Sequence, residues 1–312
     1  MTRVAAIDCG TNTIKLLVAD LSTETGQADE HVREMRMVRL GQDVDRTGRL
    51  APEALERTFA AIDEYAAIIA AHDVEAIRFC ATSAARDAAN AAEFAAGVEA
   101  RLAVTPEVVS GPEEAQLSYD GATRGLAGRG LPAPLLVVDI GGGSTELILG
   151  DPAAGPGHAH LRASRSLDIG SVRMTERHLR SDPPMADGVA AATAQIAEAL
   201  AGSGVPLGEA RTVVGVAGTI TTVAAAVLDL DGYDRAAIDQ AVLAVADVHA
   251  VTERLLAMTV AERRALPFMH PGRADVIGAG ALILDEVLRR TSVDTMLVSE
   301  ADILDGIAWS VA

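Results

Sequence analysis

The chain has 312 residues, a formal net charge of −18, and 49% hydrophobic but only 3% aromatic content, so its core must be built from Ala, Val, Leu and Ile. No apolar run reaches the roughly 18 to 20 residues of a membrane span, and the chain enters a strand-like run at Val4 without a signal-type leader. The acidic balance argues against DNA or RNA as a partner, so a cytoplasmic protein with no membrane or nucleic-acid partner is expected. Cys9 and Cys80 cannot form a disulfide framework and lack metal-type spacing; both end apolar runs and are read as small buried residues. An anionic substrate stays open if positive charge is gathered locally. The only lysine, Lys15, falls in a glycine motif.

That motif opens the chain. Ala6 to Asp20 reads AIDCGTNTIKLLVAD, an apolar strand ending in Asp8, a small-residue turn, and a second apolar strand. Pro52 to His72 is a helix with Leu55, Phe59, Ile62, Ala66 and Ile69 on one face and Pro52 suited to its first turn. Arg33 to Asp45, before it, is basic and strand-like, then loop. Glu75 to Cys80 is a short strand leading through Ala81–Arg86 to a helix that ends near Leu102. A strand at Pro106 to Val109 precedes Ser110-Gly111-Pro112-Glu113-Glu114, which opens another helix. Both acids lie in its first turn, where the helix dipole favours an ionised carboxylate. Such a group facing an anion-binding turn suits a general base for water, although the local sequence alone favours two ordinary first-turn acids.

Val138 to Asp151, VDIGGGSTELILGD, echoes the opening: aligning Asp8 with Asp139 pairs Gly10 with Gly141, Thr13 with Ser144 and Asp20 with Asp151. Both copies read as strand–turn–strand, whereas a P-loop or a dinucleotide fingerprint needs strand–turn–helix. Glycine permits close backbone approach there, and consecutive N–H groups form an anion nest. The strand-end Asp is placed to hold a metal ion or its water shell. Arg162 to Arg173 then puts Arg165 and Arg173 on either side of a turn. A helix follows at Gly188 to Ala201, then a strand, a glycine turn at Gly218-Thr219 and a helix across Thr212 to Val223, an apolar helix at Asp275 to Arg290, a strand at Thr295 to Val298 and a last helix at Asp302 to Ala312. The alternation makes the class α/β. Two domains of related topology are expected, at 1–120 and 121–300, with the helix at 301–312 returning to the first. His158 and His160 could share a strand face, and His72-Asp73 reads as surface.

The ordered set DCGTNTIKLL, ATSAARDAAN, SGPEEA, DIGGGSTEL, SLDIGSVRMTE and AGTITT resembles the exopolyphosphatase / guanosine pentaphosphate phosphohydrolase family from Asp8 to about Ser299. The resemblance implies two actin-like domains with an interdomain cleft, Mg²⁺- or Mn²⁺-dependent hydrolysis, and a homodimer. It assigns Glu114 as general base, phosphate loops at Gly10, Thr11, Asn12 and Thr13 and at Gly141, Gly142, Gly143, Ser144 and Thr145, and a third glycine turn at Gly218 and Thr219. Arg86 matches a phosphate-contacting Arg, and Asp139, Glu146 and Asp8 match metal-associated acids. Gln116 and Asp305 stand where many members carry Arg, which weakens the case for long polyanions.

The expected chemistry is hydrolysis of a terminal phosphoanhydride. Loop N–H groups and hydroxyls bind the phosphoryl oxygens, and Lys15, Arg86 and candidates Arg39, Arg165, Arg173 and Arg273 offset their charge. Inorganic polyphosphate is the leading substrate and guanosine pentaphosphate the alternative. An ATP-dependent kinase or ATPase, and a non-catalytic polyphosphate or alarmone sensor, are the readings from other classes.

Overall fold

The computed structural model describes residues 1–81, 85, 88–153 and 158–312, for Asp45 the backbone alone. Arg86 lies outside the described residues. The chain forms two compact units, one of Met1–Gly121 and Ile303–Ala312 with His158, the other of Ala122–Ala153 and Ala159–Asp302.

The first unit is built on five strands: β1 (Thr2–Cys9), β2 (Thr13–Ser22), β3 (Gln27–Met37), β4 (Ala76–Ala81) and β5 (Glu107–Val108), in the order β3-β2-β1-β4-β5. The first three form an antiparallel meander, and β4 and β5 add in parallel. Parallel addition needs crossovers, and the longer helices here are α1 (Pro52–Ala70), α2 (Ala91–Leu102) and α3 (Gly111–Arg124). On one face of the sheet Ala5, Ile7, Cys9, Ile14 and Leu16 pack with Leu55, Ile62 and Tyr65 of α1 and with Phe94 and Val98 of α2.

The second unit has β6 (Leu135–Ile140), β7 (Thr145–Asp151), β8 (His160–Leu167), β9 (Thr212–Val216), β10 (Val242–Ala244) and β11 (Thr295–Val298), in the order β10-β11-β9-β6-β7-β8. Its longer helices are α4 (Ser171–His178), α5 (Ala186–Ala201), α6 (Ala217–Val227), α7 (Val245–Ala257) and α8 (Ile277–Leu288). The run β8-β7-β6-β9-β11 repeats β3-β2-β1-β4-β5 in order and in strand direction, and β10 is an added antiparallel edge. The echo between the two glycine turns is therefore an echo between two sheets.

The chain ends in α9 (Ile303–Trp309), which belongs to the first unit. Ile303, Leu304 and Ile307 pack with Leu117 of α3 on the second face of the sheet, against Val4, Ala6, Leu17 and Ala19. Side chains alternate along a strand, so Asp8 and Lys15 continue this second face. Burial on both faces is why β1 reads as an almost unbroken apolar run.

Some elements differ from the sequence reading. β3 begins at Gln27, earlier than expected, because it is a polar strand whose first half is exposed and shows no alternation. Arg173, read as bounding a turn with Arg165, lies inside helix α4. Helix α7 was not anticipated, although Val248, Val251, Thr252 and Leu255 are buried at helical spacing. His72 is half-buried, with Nδ1 2.7 Å from the Ile68 carbonyl at the end of α1. Cys9 and Cys80 are both buried, as expected.

Candidate active site

The two glycine turns close on the same hydrogen bond: Gly10 N–H donates to the Thr13 carbonyl at 2.9 Å, and Gly141 N–H to the Ser144 carbonyl at 3.0 Å. Their remaining carbonyls are turned toward the segment that follows each hairpin. The Asn12 carbonyl accepts from Val38 and Arg39 N–H at 3.1 and 2.9 Å, and the Thr11 carbonyl from Gly41 N–H at 2.8 Å. In the second unit the Gly141 carbonyl accepts from Ser171 N–H at 2.9 Å, and the Gly142 carbonyl from Val172 and Arg173 N–H at 2.9 and 3.1 Å. A trans peptide carries its C=O and the next N–H on opposite sides. The N–H groups of Asn12 and Thr13, and of Gly142 and Gly143, are thereby aimed away from those anchors, the arrangement of an anion nest.

Gly170, quoted in the sequence motif without a role, sets the second loop. A Cβ there would lie 2.3 Å from the Gly142 carbonyl oxygen and 2.5 Å from Gly143 N. Its φ of −128° is open to any residue, so glycine is required for close approach alone. Thr145 is fully buried and its hydroxyl donates to the Ile169 carbonyl at 2.5 Å, which turns that hydroxyl to the scaffold and away from a phosphate-binding part.

The acids separate by their partners. Asp139 and Glu146 are direct cross-strand partners on β6 and β7, at 7% and 4% exposure, and Ser166 Oγ donates to Glu146 at 2.8 Å. In the first unit the equivalent register pair is Asp8 with Lys15, whose Nζ lies 3.7 Å from Asp8 Oδ2. Lys15 therefore sits on strand β2, beside the loop, and balances Asp8. Like charges directly opposite on antiparallel strands repel, so the Asp139–Glu146 pair suits a hard divalent cation. Among the described residues no three His, Cys, Asp or Glu side chains gather into a metal cage. A pair of carboxylates fits Mg²⁺, which keeps waters and takes substrate phosphates as its other ligands.

Glu113 and Glu114 both fall in the first turn of α3, as expected. Glu113 is exposed and ion-paired to Arg78 at 2.5 Å. Glu114 is buried at 4% exposure, with its N–H donated to the Ser110 carbonyl at 2.8 Å. Of the two, only Glu114 has the withdrawn setting of a working carboxylate.

Gly218 and Thr219 lie within the first turn of α6, not before it, and the left-handed residue of that junction is Ala217, at φ 67°. The Arg273 guanidinium lies on Gly218, 2.3 Å from where a Cβ would be, and burial holds it below its ordinary pKa. Arg39 and Arg173 reach the first and second loops through their backbone N–H groups. Arg165 is exposed on β8 opposite Leu147, so it stands on the face away from Glu146. His158 is exposed and bonded through Nδ1 to Asp120 at 2.6 Å.

Comparison with known proteins matches this architecture. Exopolyphosphatase 2 of Mycobacterium tuberculosis is 48% identical over 325 residues, covering 100% of this chain and 99% of the relative. A crystal structure of an exopolyphosphatase-like protein superposes with a TM-score of 0.95 at 44% identity, covering 100% of this chain and 98% of the other. The Aquifex aeolicus member of the Ppx/GppA family gives a TM-score of 0.81 at 30% identity, covering 99% and 97%. The paired sheets are those of the actin-like α/β fold. With its residues 23–312 matching the profile of that family, the chain belongs to the Ppx/GppA phosphatases.

Proposed function

We propose that this protein is an exopolyphosphatase that releases terminal orthophosphate from inorganic polyphosphate with Mg²⁺ as cofactor, acting in the cytoplasm as a homodimer. The observation that carries the reading is the duplicated turn, whose loop carbonyls are bonded in both units to the segment that follows the hairpin. Phosphoryl transfer needs little beyond positioning and charge stabilisation. The N–H groups of Asn12, Thr13, Gly142 and Gly143 bind phosphoryl oxygens, with Ser144 as a further donor. Glu114 orients the attacking water and takes its proton as the bond to the departing chain breaks. Lys15, Arg86 and Arg273 offset the charge of the polyanion. Asp139 and Glu146 would hold a divalent cation, which when bound supplies neutralisation of phosphoryl charge.

Guanosine pentaphosphate is the second reading, because the family to which the chain belongs spans both activities. Phosphate release with Mg²⁺ from short polyphosphate, long polyphosphate, guanosine pentaphosphate and ATP, side by side at equal enzyme, decides. Fastest release from a polyphosphate is expected. Release mainly from guanosine pentaphosphate replaces the first reading with the second. Glu114→Gln is expected to lower turnover by about three orders of magnitude or more while phosphate-chain binding persists, and near-normal turnover removes Glu114 from the role.

A further inference from the structure

We infer that the C-terminal helix α9 positions Glu114, with Gly306 as the contact that sets its height. The inference rests on Glu114 being the base. Glu114 lies in the first turn of α3, and Leu117, on the next turn, packs against α9. A Cβ on Gly306 would lie 2.0 Å from the Leu117 carbonyl oxygen, 2.7 Å from its carbonyl carbon and 3.0 Å from its Cα. All three are backbone atoms of α3. A side chain could swing aside, but helix backbone can yield only by moving the helix. Glycine at 306 therefore lets α9 set where α3 rests on the sheet.

A second contact holds the first turn of α3 itself. Arg78 of β4 is largely buried and donates to Glu113, the neighbour of Glu114, at 2.5 Å. The same guanidinium donates to Glu107 of β5 at 2.7 Å and to Ser310 Oγ, just beyond α9, at 2.7 Å. The first two turns of α3 are thus tied to the end of the chain, the second through Gly306 at Leu117 and the first through Arg78 at Glu113. A general base works only within hydrogen-bond reach of its water, and a misplacement of about 1 Å costs roughly 100-fold in rate. Gly306 and Arg78 are positioning residues, since neither is argued to touch substrate.

The test compares Gly306→Ala, Glu114→Gln and the double variant on a polyphosphate substrate with Mg²⁺, with circular dichroism to establish folding. Gly306→Ala is expected to lower kcat by roughly 10-fold or more with KM changed by less than about 2-fold. In the Glu114→Gln background the same substitution is expected to change residual turnover by less than about 2-fold, because the group it displaces is already disabled. An unchanged kcat overturns the inference, as does an equal loss in both backgrounds. Should Gly306→Ala not fold, Arg78→Met is expected to lower kcat and Arg78→Lys to restore most of it; equal activity of the two overturns the inference. Near-normal turnover of Glu114→Gln alone is a different outcome, which removes the base itself.

Discussion

Asp139 and Glu146 face each other across β6 and β7, while the same two register positions in the first unit hold Asp8 and Lys15. One copy of the hairpin thus balances its strand-end carboxylate internally, and the other sets a second carboxylate against it. Like charges directly opposite on antiparallel strands cost up to about 1 kcal/mol, a cost that a bound cation is expected to offset. Glu146→Lys copies the first unit into the second. In EDTA the variant is expected to melt at or above the wild-type temperature. Saturating Mg²⁺ at about 100 times its Kd is expected to stabilise the wild type by roughly 2.7 kcal/mol and to leave the variant unmoved, with turnover lost. Thermal melts with and without Mg²⁺ check this, and retained Mg²⁺ stabilisation in the variant places the metal elsewhere.

Gly170 predicts a loop effect without a change of turn type. Its neighbours are the Gly142 carbonyl and Gly143 N, so Gly170→Ala must push the second glycine turn or the start of α4. The anchors at risk are the Ser171, Val172 and Arg173 N–H bonds to Gly141 and Gly142. Binding of the terminal phosphate suffers first, and kcat/KM is expected to fall by about 100-fold. Substitution of Gly128, where a Cβ meets nothing within 4 Å but φ is +83°, serves as control: it is expected to lower stability without touching kcat/KM. Steady-state kinetics of both variants with a melting curve for each separates the two effects.

The glycine turns were legible because they carry chemistry in local sequence: a strand-end Asp, small residues, a second apolar strand, and the whole repeated. The first-turn placement of Glu113 and Glu114 was legible from Pro112 for the same reason. Which glutamate is withdrawn was legible only through the family resemblance and not from local sequence, because Arg78 comes from a strand over thirty positions earlier and pairs with Glu113. Gly170 and Gly306 were silent as well: each is required by backbone from another segment, and a close approach between distant segments leaves no periodicity to read. That Lys15 stands directly opposite Asp8 was not legible either, because the register follows from a turn only three residues long between Cys9 and Thr13.

Cys9 and Cys80 lead to a chemical prediction. Burial pushes the Cys80 thiol up to about 12 and raises Cys9 further, with Asp8 adding to both. At pH 8 a thiol of pKa near 12 is thiolate in roughly one molecule in 10⁴. Native protein is therefore expected to be inert to a thiol-specific disulfide reagent at pH 8, and to yield two thiols per chain on denaturation. Rapid labelling of the native protein would show that β1 or β4 opens, and activity should then fall with it, since Cys9 leads into the first glycine turn and Cys80 pairs with Asp8 beside it.

Asp305 explains one of the two places where a basic residue was expected. Its carboxylate takes two bonds from Arg33 of β3, at 2.5 and 3.3 Å, with both side chains at 17% exposure. Asp305 and Glu30 together hold the Arg33 guanidinium above its ordinary pKa against the opposing effect of burial. The charge at 305 is thus committed to fastening α9 to the edge of the first sheet. Asp305→Arg would set two guanidinium groups against each other and is expected to destabilise the protein by about 2 to 4 kcal/mol. The exchange Arg33→Asp with Asp305→Arg keeps one charge of each sign and is expected to recover about half of that loss or more. Denaturant melts of the two single variants and the exchange give the coupling directly. A coupling near zero would mean that the apolar residues Ile303, Leu304 and Ile307 hold α9 in place without help from the ion pair.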